Sequence, residues 1–203
     1  MIKNVLIFLT NGNLLVSRSY GFQEKDMLIL TGLLSAFENL TDDLGEGEIK
    51  NIIMHQHQIL MEIEGDICFA LFIDQEDDPR QGKLILDTMI DTFFTIYKGS
   101  PLILPGRLVE VNDFNPFLKV LDELVILKNV YAILESSPKK LNIREILDIY
   151  SRDYNPQISE YEIWNATKTL VQKEIIVKSD EEDAITFRKK GEILKKFKFK
   201  LKD

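Results

Sequence analysis

The segment from Lys3 to Gly21, KNVLIFLTNGNLLVSRSYG, predicts a β-hairpin whose two strands have different surroundings. Its first half is an almost unbroken apolar run, and its second half alternates between apolar and polar residues. The Asn-Gly pair between them is the strongest short-range hairpin signal. A strand that is apolar on both faces lies inside a sheet that is covered on both sides. The hairpin therefore predicts a sheet between two layers of helices, with the first strand near its centre.

The pattern downstream supplies the rest of this sheet. Residues 24–40 have helical periodicity. Three strand-like runs follow at 49–55, 58–64 and 67–74. The last run, with ICFALFI, is apolar throughout, so we expect it beside the first strand. Asp78-Pro79 then marks a helix start, with Asp as N-cap and Pro at the first position. We predict an α+β fold, an α-β-α sandwich around a five-stranded mixed sheet of order 2-1-5-4-3.

The sequence beyond residue 126 changes to short helices followed by a hairpin. Asn142 with Glu145, and Ser159 with Glu162, have the spacing of capping boxes, which mark the first turns of two helices. The strings EIIVKS and AITFRKK, joined by DEED, predict two strands and a turn. Three helices and a two-stranded wing are the layout of a winged helix-turn-helix. We therefore predict two domains, at residues 1–126 and 127–203.

The charges are unevenly distributed along the chain. The 203 residues have a net charge of −8; residues 1–118 have 8 Lys or Arg against 18 Asp or Glu, and residues 119–203 have 17 against 15. The acidic first half repels phosphates. The turn of the predicted wing, from Asp180 to Asp183, has carboxylates where a DNA-binding wing meets phosphates. These charges favour a protein partner over a nucleic acid.

A second interpretation stays open. A winged helix also occurs in transcription regulators. In that alternative the first domain dimerises or senses a signal, and the winged helix binds DNA.

The basic segment RKKGEILKKFKFKLKD at 188–203 has two interpretations. As an amphipathic helix it would contact a partner or lie peripherally on an anionic membrane. Its contacts would then be made by Lys189, Lys190, Lys195, Lys196, Lys198 and Lys200. As a plain last helix it would pack on the winged helix and leave its lysines in solvent.

The sequence contains no recognisable catalytic or metal-binding motif. His55 and His57 are the only histidines, and two ligands without a third are better explained as polar residues of an outer strand or its turn. Cys68 lies among apolar residues that disfavour a thiolate, and its single occurrence fits a reducing compartment. The run DQEDD lacks the features of a calcium loop, and no glycine-rich phosphate loop occurs. We predict a cytoplasmic protein that is not an enzyme and has no cofactor and no metal.

The residues VLIFLTNGNLLVSRSYG and, further on, CFALFID and ILDTMIDTFFTIY resemble a longin domain. The likeness lies mainly in the element order β-β-α-β-β-β-α-α over residues 1–126; the roadblock domain is a near relative that begins with an extra helix. The resemblance implies a platform without catalytic activity in processes like membrane trafficking. Such a platform binds or regulates a small GTPase, or assembles with another longin- or roadblock-type subunit. The chain departs from adaptor small chains by its appended winged helix.

A partner surface is predicted where the second strand and the first helix meet. In the order 2-1-5-4-3 the second strand is an edge that can extend its sheet into another chain. The first helix has more apolar surface than one sheet face can cover. We predict contacts with a protein partner, in a homo- or heterodimer, through Leu15, Ser17, Ser19, Met27, Leu30, Leu34 and Phe37. Each helix residue taken singly is better explained as part of the core.

Overall fold

The computed structural model describes residues 2–20, 27–45, 47–103, 111–181 and 184–189. Only the backbone is described at Met27, Leu28, Asp42, Pro101, Val111, Asp180, Glu181, Ala184, Ile185 and Lys189. The predicted contact residues beyond the last strand lie outside the described residues: Lys190, Lys195, Lys196, Lys198 and Lys200. The chain divides into two compact units, one ending at Lys119 and one beginning at Val120.

The first unit contains a five-stranded sheet and two long helices, and a third helix begins near its end. Its elements are β1 (Ile2–Leu9), β2 (Leu14–Ser19), α1 (Met27–Asp43), β3 (Asn51–Ile53), β4 (His57–Glu64), β5 (Ile67–Asp74), α2 (Pro79–Tyr97), two 3₁₀ turns (Pro101–Ile103 and Val111–Phe114) and the start of α3 (Asn115–Ser136). The strand order β2-β1-β5-β4-β3 confirms the prediction. The predicted domain boundary after residue 126 falls inside α3.

The direction of the strands differs from the prediction. All four pairings of neighbouring strands are antiparallel, so the prediction of a mixed sheet is wrong. The pairings make β2 and β3 run in the same direction at opposite edges of the sheet. Between them, α1 carries the chain back along the length of the sheet, so that β3 starts from the same end as β2. Every pair of neighbouring strands is then antiparallel.

Local sequence explains where the strands turn and where α2 begins. Gly12 has a φ of +90° between β1 and β2, and Gly65 has a φ of +65° between β4 and β5. Both values lie in the left-handed region that favours glycine. The carboxylate of Asp78 caps α2 by accepting a hydrogen bond from the Arg80 N–H, and Pro79 is the first helical residue. The Asn-Gly turn and this helix start are as predicted, and Gly65 lies in the gap between the predicted runs 58–64 and 67–74.

The two helices α1 and α2 cover opposite faces of the sheet. On one face, Leu34 of α1 packs in a core cluster with side chains of β1, β4 and β5. On the other face, Gly82 brings the backbone of α2 close to the sheet, because a Cβ there would lie 2.4 Å from Leu60 Cδ1 and 2.9 Å from Ile73 Cδ1. β1 is buried on both faces along nearly its whole length, as its apolar run predicted.

Aromatic side chains join α2 to the sheet and to the start of α3. Phe93 is fully buried at the centre of this group. Its ring centroid lies 5.0–6.0 Å from those of Phe69, Phe94, Tyr97, Phe114 and Phe117. Such distances are those of favourable edge-to-face and offset contacts. Phe93 therefore connects α2 to β5, to the 3₁₀ turn Val111–Phe114 and to the start of α3.

The second unit combines helices with a three-stranded sheet. After α3 its elements are β6 (Leu141–Asn142), α4 (Ile143–Asp153), α5 (Glu160–Gln172), β7 (Ile176–Glu181) and β8 (Ala184–Lys189), with the sheet order β6-β8-β7. The strand β6 was not predicted, because two residues are too short to show a period. Both predicted capping boxes are present: Asn142 pairs with Glu145, and Ser159 pairs with Glu162.

Candidate partner-binding surface

The helix α1 exposes five large apolar side chains. They are Ile29 (69% exposed), Leu33 (47%), Phe37 (40%), Leu40 (53%) and Leu44 (66%), which we call the α1 stripe. Successive members are three or four residues apart, so those within α1 lie along one side of the helix, and Leu44 directly follows its last residue. Exposed apolar side chains are common when scattered singly, but a continuous row indicates a surface that another molecule covers.

The side of α1 that faces the sheet is less apolar than the exposed side. Thr31 and Ser35 are both buried there, together with Leu34. The Ser35 Oγ atom has no hydrogen-bond partner within the described part of the chain. Gly12, in the turn between β1 and β2, lies next to this part of α1: a Cβ at its position would be 3.6 Å from Ser35 Oγ, an ordinary van der Waals distance. Among the large apolar side chains of α1 that the structure describes, more lie on the side away from the sheet than against it.

Glu38 connects α1 to the segment before the edge strand β3. Its carboxylate accepts a hydrogen bond from the Ile49 N–H, at 3.2 Å to Oε1 and 3.4 Å to Oε2. β3 pairs with β4 on one side and forms the edge of the sheet on the other. At its end, Ile53 and Met54 are 69% and 48% exposed. A second apolar patch therefore lies at the β3 edge.

The predicted contact residues have different surroundings in the structure. Leu15 and Leu34 are 8% and 1% exposed, so they belong to the core, and we remove them from the surface. Ser17 and Phe37 are exposed, whereas Ser19 and Leu30 are half-buried. The side chain of Met27 is not described.

The 3₁₀ turn Val111–Phe114 lies beside β2 within the first unit. The loop before this turn contains no periodic pattern, so the position of the turn could not be predicted. Apart from Phe37, the residues of the α1 stripe were not among the predicted contacts, and neither were Ile53 and Met54.

Among the described residues, the two histidines and Cys68 give little support for a metal site or a reactive thiol. His55 is exposed, and the Nδ1 atom of His57 lies 3.8 Å from Asp74 Oδ1. Burial, with Glu38 and Glu48 nearby, raises the pKa of the Cys68 thiol to about 12, so the thiolate is not formed at neutral pH. No three potential ligands among the described His, Cys, Asp and Glu residues stand together as a metal site. None of the described helices is both long and apolar enough to cross a membrane.

Comparisons with known proteins give distant likenesses. No protein-family model and no curated protein match the sequence. Myxococcus xanthus MglB is 22% identical, with a TM-score of 0.41, over 48% of this chain and 85% of that one. A roadblock/LC7 domain from Streptomyces avermitilis is 11% identical, with a TM-score of 0.36, over 48% of this chain and 83% of that one. A chain in a homology model of the full-length AP-3 complex in a stretched open conformation is 11% identical, with a TM-score of 0.38, over 86% of this chain and 96% of that one. These three TM-scores are all below 0.5.

Proposed function

We propose that this chain is a non-enzymatic protein-interaction platform whose first unit is longin-like and pairs with another subunit of the same kind. The element order and the sheet order 2-1-5-4-3 support the longin-like assignment. The observation that carries the proposal is the α1 stripe, since a row of five large exposed apolar side chains is costly to leave in water.

The arrangement of the α1 stripe favours a second copy of this chain as the partner. Phe37 is at its middle, with Leu33 and Leu40 on either side and Ile29 and Leu44 at the ends. If two helices lie antiparallel about a two-fold axis near Phe37, Ile29 meets Leu44 of the second copy, and Leu33 meets Leu40. The same side chains then serve both partners, as a two-fold interface requires. The contact would extend over about 22 Å of helix.

The test is the mass of the full chain in solution. Analytical ultracentrifugation should give a dimer for the wild-type chain and a monomer for the double variant Leu33→Glu with Phe37→Glu. Leu84→Glu is the matched control, because Leu84 is 51% exposed on α2 and lies outside the stripe. It should remain a dimer. A monomeric wild-type chain at micromolar concentration, or a dimer that is indifferent to the double variant, would refute homodimer formation through α1.

Binding to a small GTPase is the second part of the proposal and follows from the longin resemblance. The sequence has no glycine-rich phosphate loop of its own. A platform of this kind would therefore act on a GTPase in trans. The purified chain should bind a related small GTPase in one nucleotide state, or change its rate of exchange or hydrolysis. Absence of both effects across the related GTPases would count against this part and leave the dimer test unaffected.

The second unit is proposed to be a winged helix. Its order α3-β6-α4-α5-β7-β8, with β6 beside β8, supports this assignment. The same arrangement keeps the alternative of a transcription regulator open. A gel-shift experiment at moderate salt separates the two: specific binding that survives competitor DNA would favour the regulator.

A cytoplasmic location is proposed from the single cysteine, and peripheral membrane contact is proposed from one of the two interpretations of the basic segment at 188–203. Co-sedimentation with anionic liposomes should fall when residues 189–203 are deleted. Equal co-sedimentation of the full and truncated chains would remove the membrane contact from the proposal.

A further inference from the structure

The helix α5 exposes two aromatic side chains that the core of the second unit does not use. Tyr161 is 70% exposed and Trp164 is 43% exposed; within the described part of this unit they are the only large apolar side chains that are exposed. The core receives other residues of the helix: Ile163, Ala166, Thr167 and Leu170. Because Tyr161 and Trp164 are three residues apart, they are neighbours on the helix surface. We call them the α5 aromatic pair.

The α5 aromatic pair is held in position. The capping box of Ser159 and Glu162 fixes the first turn of the helix. The ammonium group of Lys168 lies over the Trp164 ring, with Nζ 4.9 Å from the ring centroid. Tyrosine and tryptophan give a large contact area for the loss of only two side-chain torsions and are enriched at protein interfaces. These features fit contact with another polypeptide.

The charges of α5 oppose a nucleic acid. Glu160 and Glu162 lie in its first turn, and Lys168 is the only basic residue between Glu160 and Gln172. Phosphates approaching the start of the helix would meet two carboxylates. The one lysine already lies over Trp164.

The same charges indicate which polypeptide would bind. Glu160 is exposed, directly precedes Tyr161 and lies one helical turn before Trp164. A carboxylate beside two aromatic rings complements a cation beside an apolar side chain.

We propose that Glu160 and the α5 aromatic pair form a docking site for a polypeptide segment in which an apolar side chain neighbours Lys or Arg. The apolar side chain packs against the Tyr161 ring and the part of the Trp164 ring that Lys168 leaves exposed, and the cation pairs with Glu160. The site uses none of the residues of the α1 stripe, so it is independent of the pairing proposed for the first unit.

The experiment uses the full chain and a random peptide library displayed on phage. Trp164 is the only tryptophan in the sequence, so its fluorescence reports on this site. We expect the selected peptides to combine Leu, Ile or Phe with Lys or Arg, and to shift the Trp164 emission to shorter wavelength. Anisotropy of the labelled peptides should show at least tenfold weaker binding to Trp164→Ala and to Tyr161→Ala. Glu160→Gln should weaken the binding of the basic peptides.

Matched controls separate a lost site from a lost fold. Leu84→Ala removes an exposed apolar side chain from α2 and should bind the peptides as the wild type does. Thermal unfolding of the α5 variants should be unchanged, because neither ring is in the core. The proposal is overturned by a selection without the apolar-basic pattern, by peptides whose affinity depends on Leu33 instead of Trp164, or by an emission shift that oligonucleotides cause and peptides do not.

Discussion

Gln58 holds the loop between β5 and α2 against β4. Its side chain is buried, and its Nε2 atom donates to the carbonyl oxygens of Asp74 (3.3 Å), Gln75 (3.2 Å) and Asp77 (2.7 Å). The amide nitrogen has two hydrogens, so one of them is shared between two of these oxygens. Because carbonyl oxygens only accept, the amide has to present its nitrogen to them. Replacement of Gln58 therefore tests whether this one side chain positions the start of α2.

The expected losses follow from these three bonds. In Gln58→Leu the short bond accounts for about 1 kcal/mol, the two longer ones for less, and the carbonyls left without a donor add a desolvation cost. We expect the free energy of unfolding to fall by about 2–3 kcal/mol. Gln58→Glu has nearly the same shape but turns a carboxylate toward three carbonyl oxygens, so its loss at pH 7 should be larger, about 4 kcal/mol.

The Glu variant adds a test by pH. Burial and the carbonyl dipoles should raise the pKa of the introduced carboxyl in the folded state above its value in the unfolded chain. Its extra cost is therefore full at pH values above the folded-state pKa and disappears below the unfolded-state pKa. The gap in stability between Gln58→Glu and Gln58→Leu should narrow as the pH falls from 7 to 4.

Urea unfolding followed by circular dichroism measures these losses in the free energy of unfolding. Hydrogen exchange of the Asp77 amide reports on the loop itself, because this N–H donates to the Asp74 carbonyl at 3.1 Å. Gln56→Leu is the control, since Gln56 is exposed and its replacement should cost less than about 0.5 kcal/mol. The reasoning fails if Gln58→Leu unfolds at the same urea concentration as Gln56→Leu and its loop amide exchanges no faster.

Three further predictions concern the cores and the cysteine. Phe93→Ala should lower the free energy of unfolding of the first unit by about 3–5 kcal/mol in urea denaturation, because five neighbouring rings lose their central contact; a loss under about 1 kcal/mol would contradict the described packing. Asn142→Ala should cost the second unit about 1 kcal/mol through the lost cap of α4, as measured by the shift of its urea midpoint, with Asn155→Ala for comparison. Cys68, whose pKa burial raises to about 12, should react with a disulfide reagent at pH 8 only as fast as the chain unfolds; fast labelling in the absence of urea would refute its burial.

The strand order could be predicted because the apolar runs carried enough information. A run buried on both faces has to lie inside the sheet, and the longest such runs are those of β1 and β5, whereas β4 has a shorter one at 58–61. Turns and caps were also predictable, since Gly12, Gly65 and Asp78 each have one physical role at their position. Strand direction was not, because it depends on the path of the α1 connection, which leaves no mark on the apolar pattern.

Which side of α1 is exposed could not be predicted from the sequence. This helix has two apolar sectors, one with Leu30 and Leu34 and one with Ile29 and Leu33, and either could face the sheet. The structure selects the first, with the small polar residues Thr31 and Ser35 next to it against the sheet. The apolar pattern alone does not decide between the two sectors, because each has large apolar side chains at helical spacing.

The central position of β1 also bears on how the chain is made. During synthesis β1 emerges from the ribosome well before β5, because four elements lie between them in the chain: β2, α1, β3 and β4. Until β5 has been synthesised, the edge of β1 that pairs with it is unpaired. This strongly apolar strand could then pair with a similar strand of another nascent chain on the same polysome. Cells that produce this protein in quantity should therefore depend on chaperone binding to nascent chains during that interval.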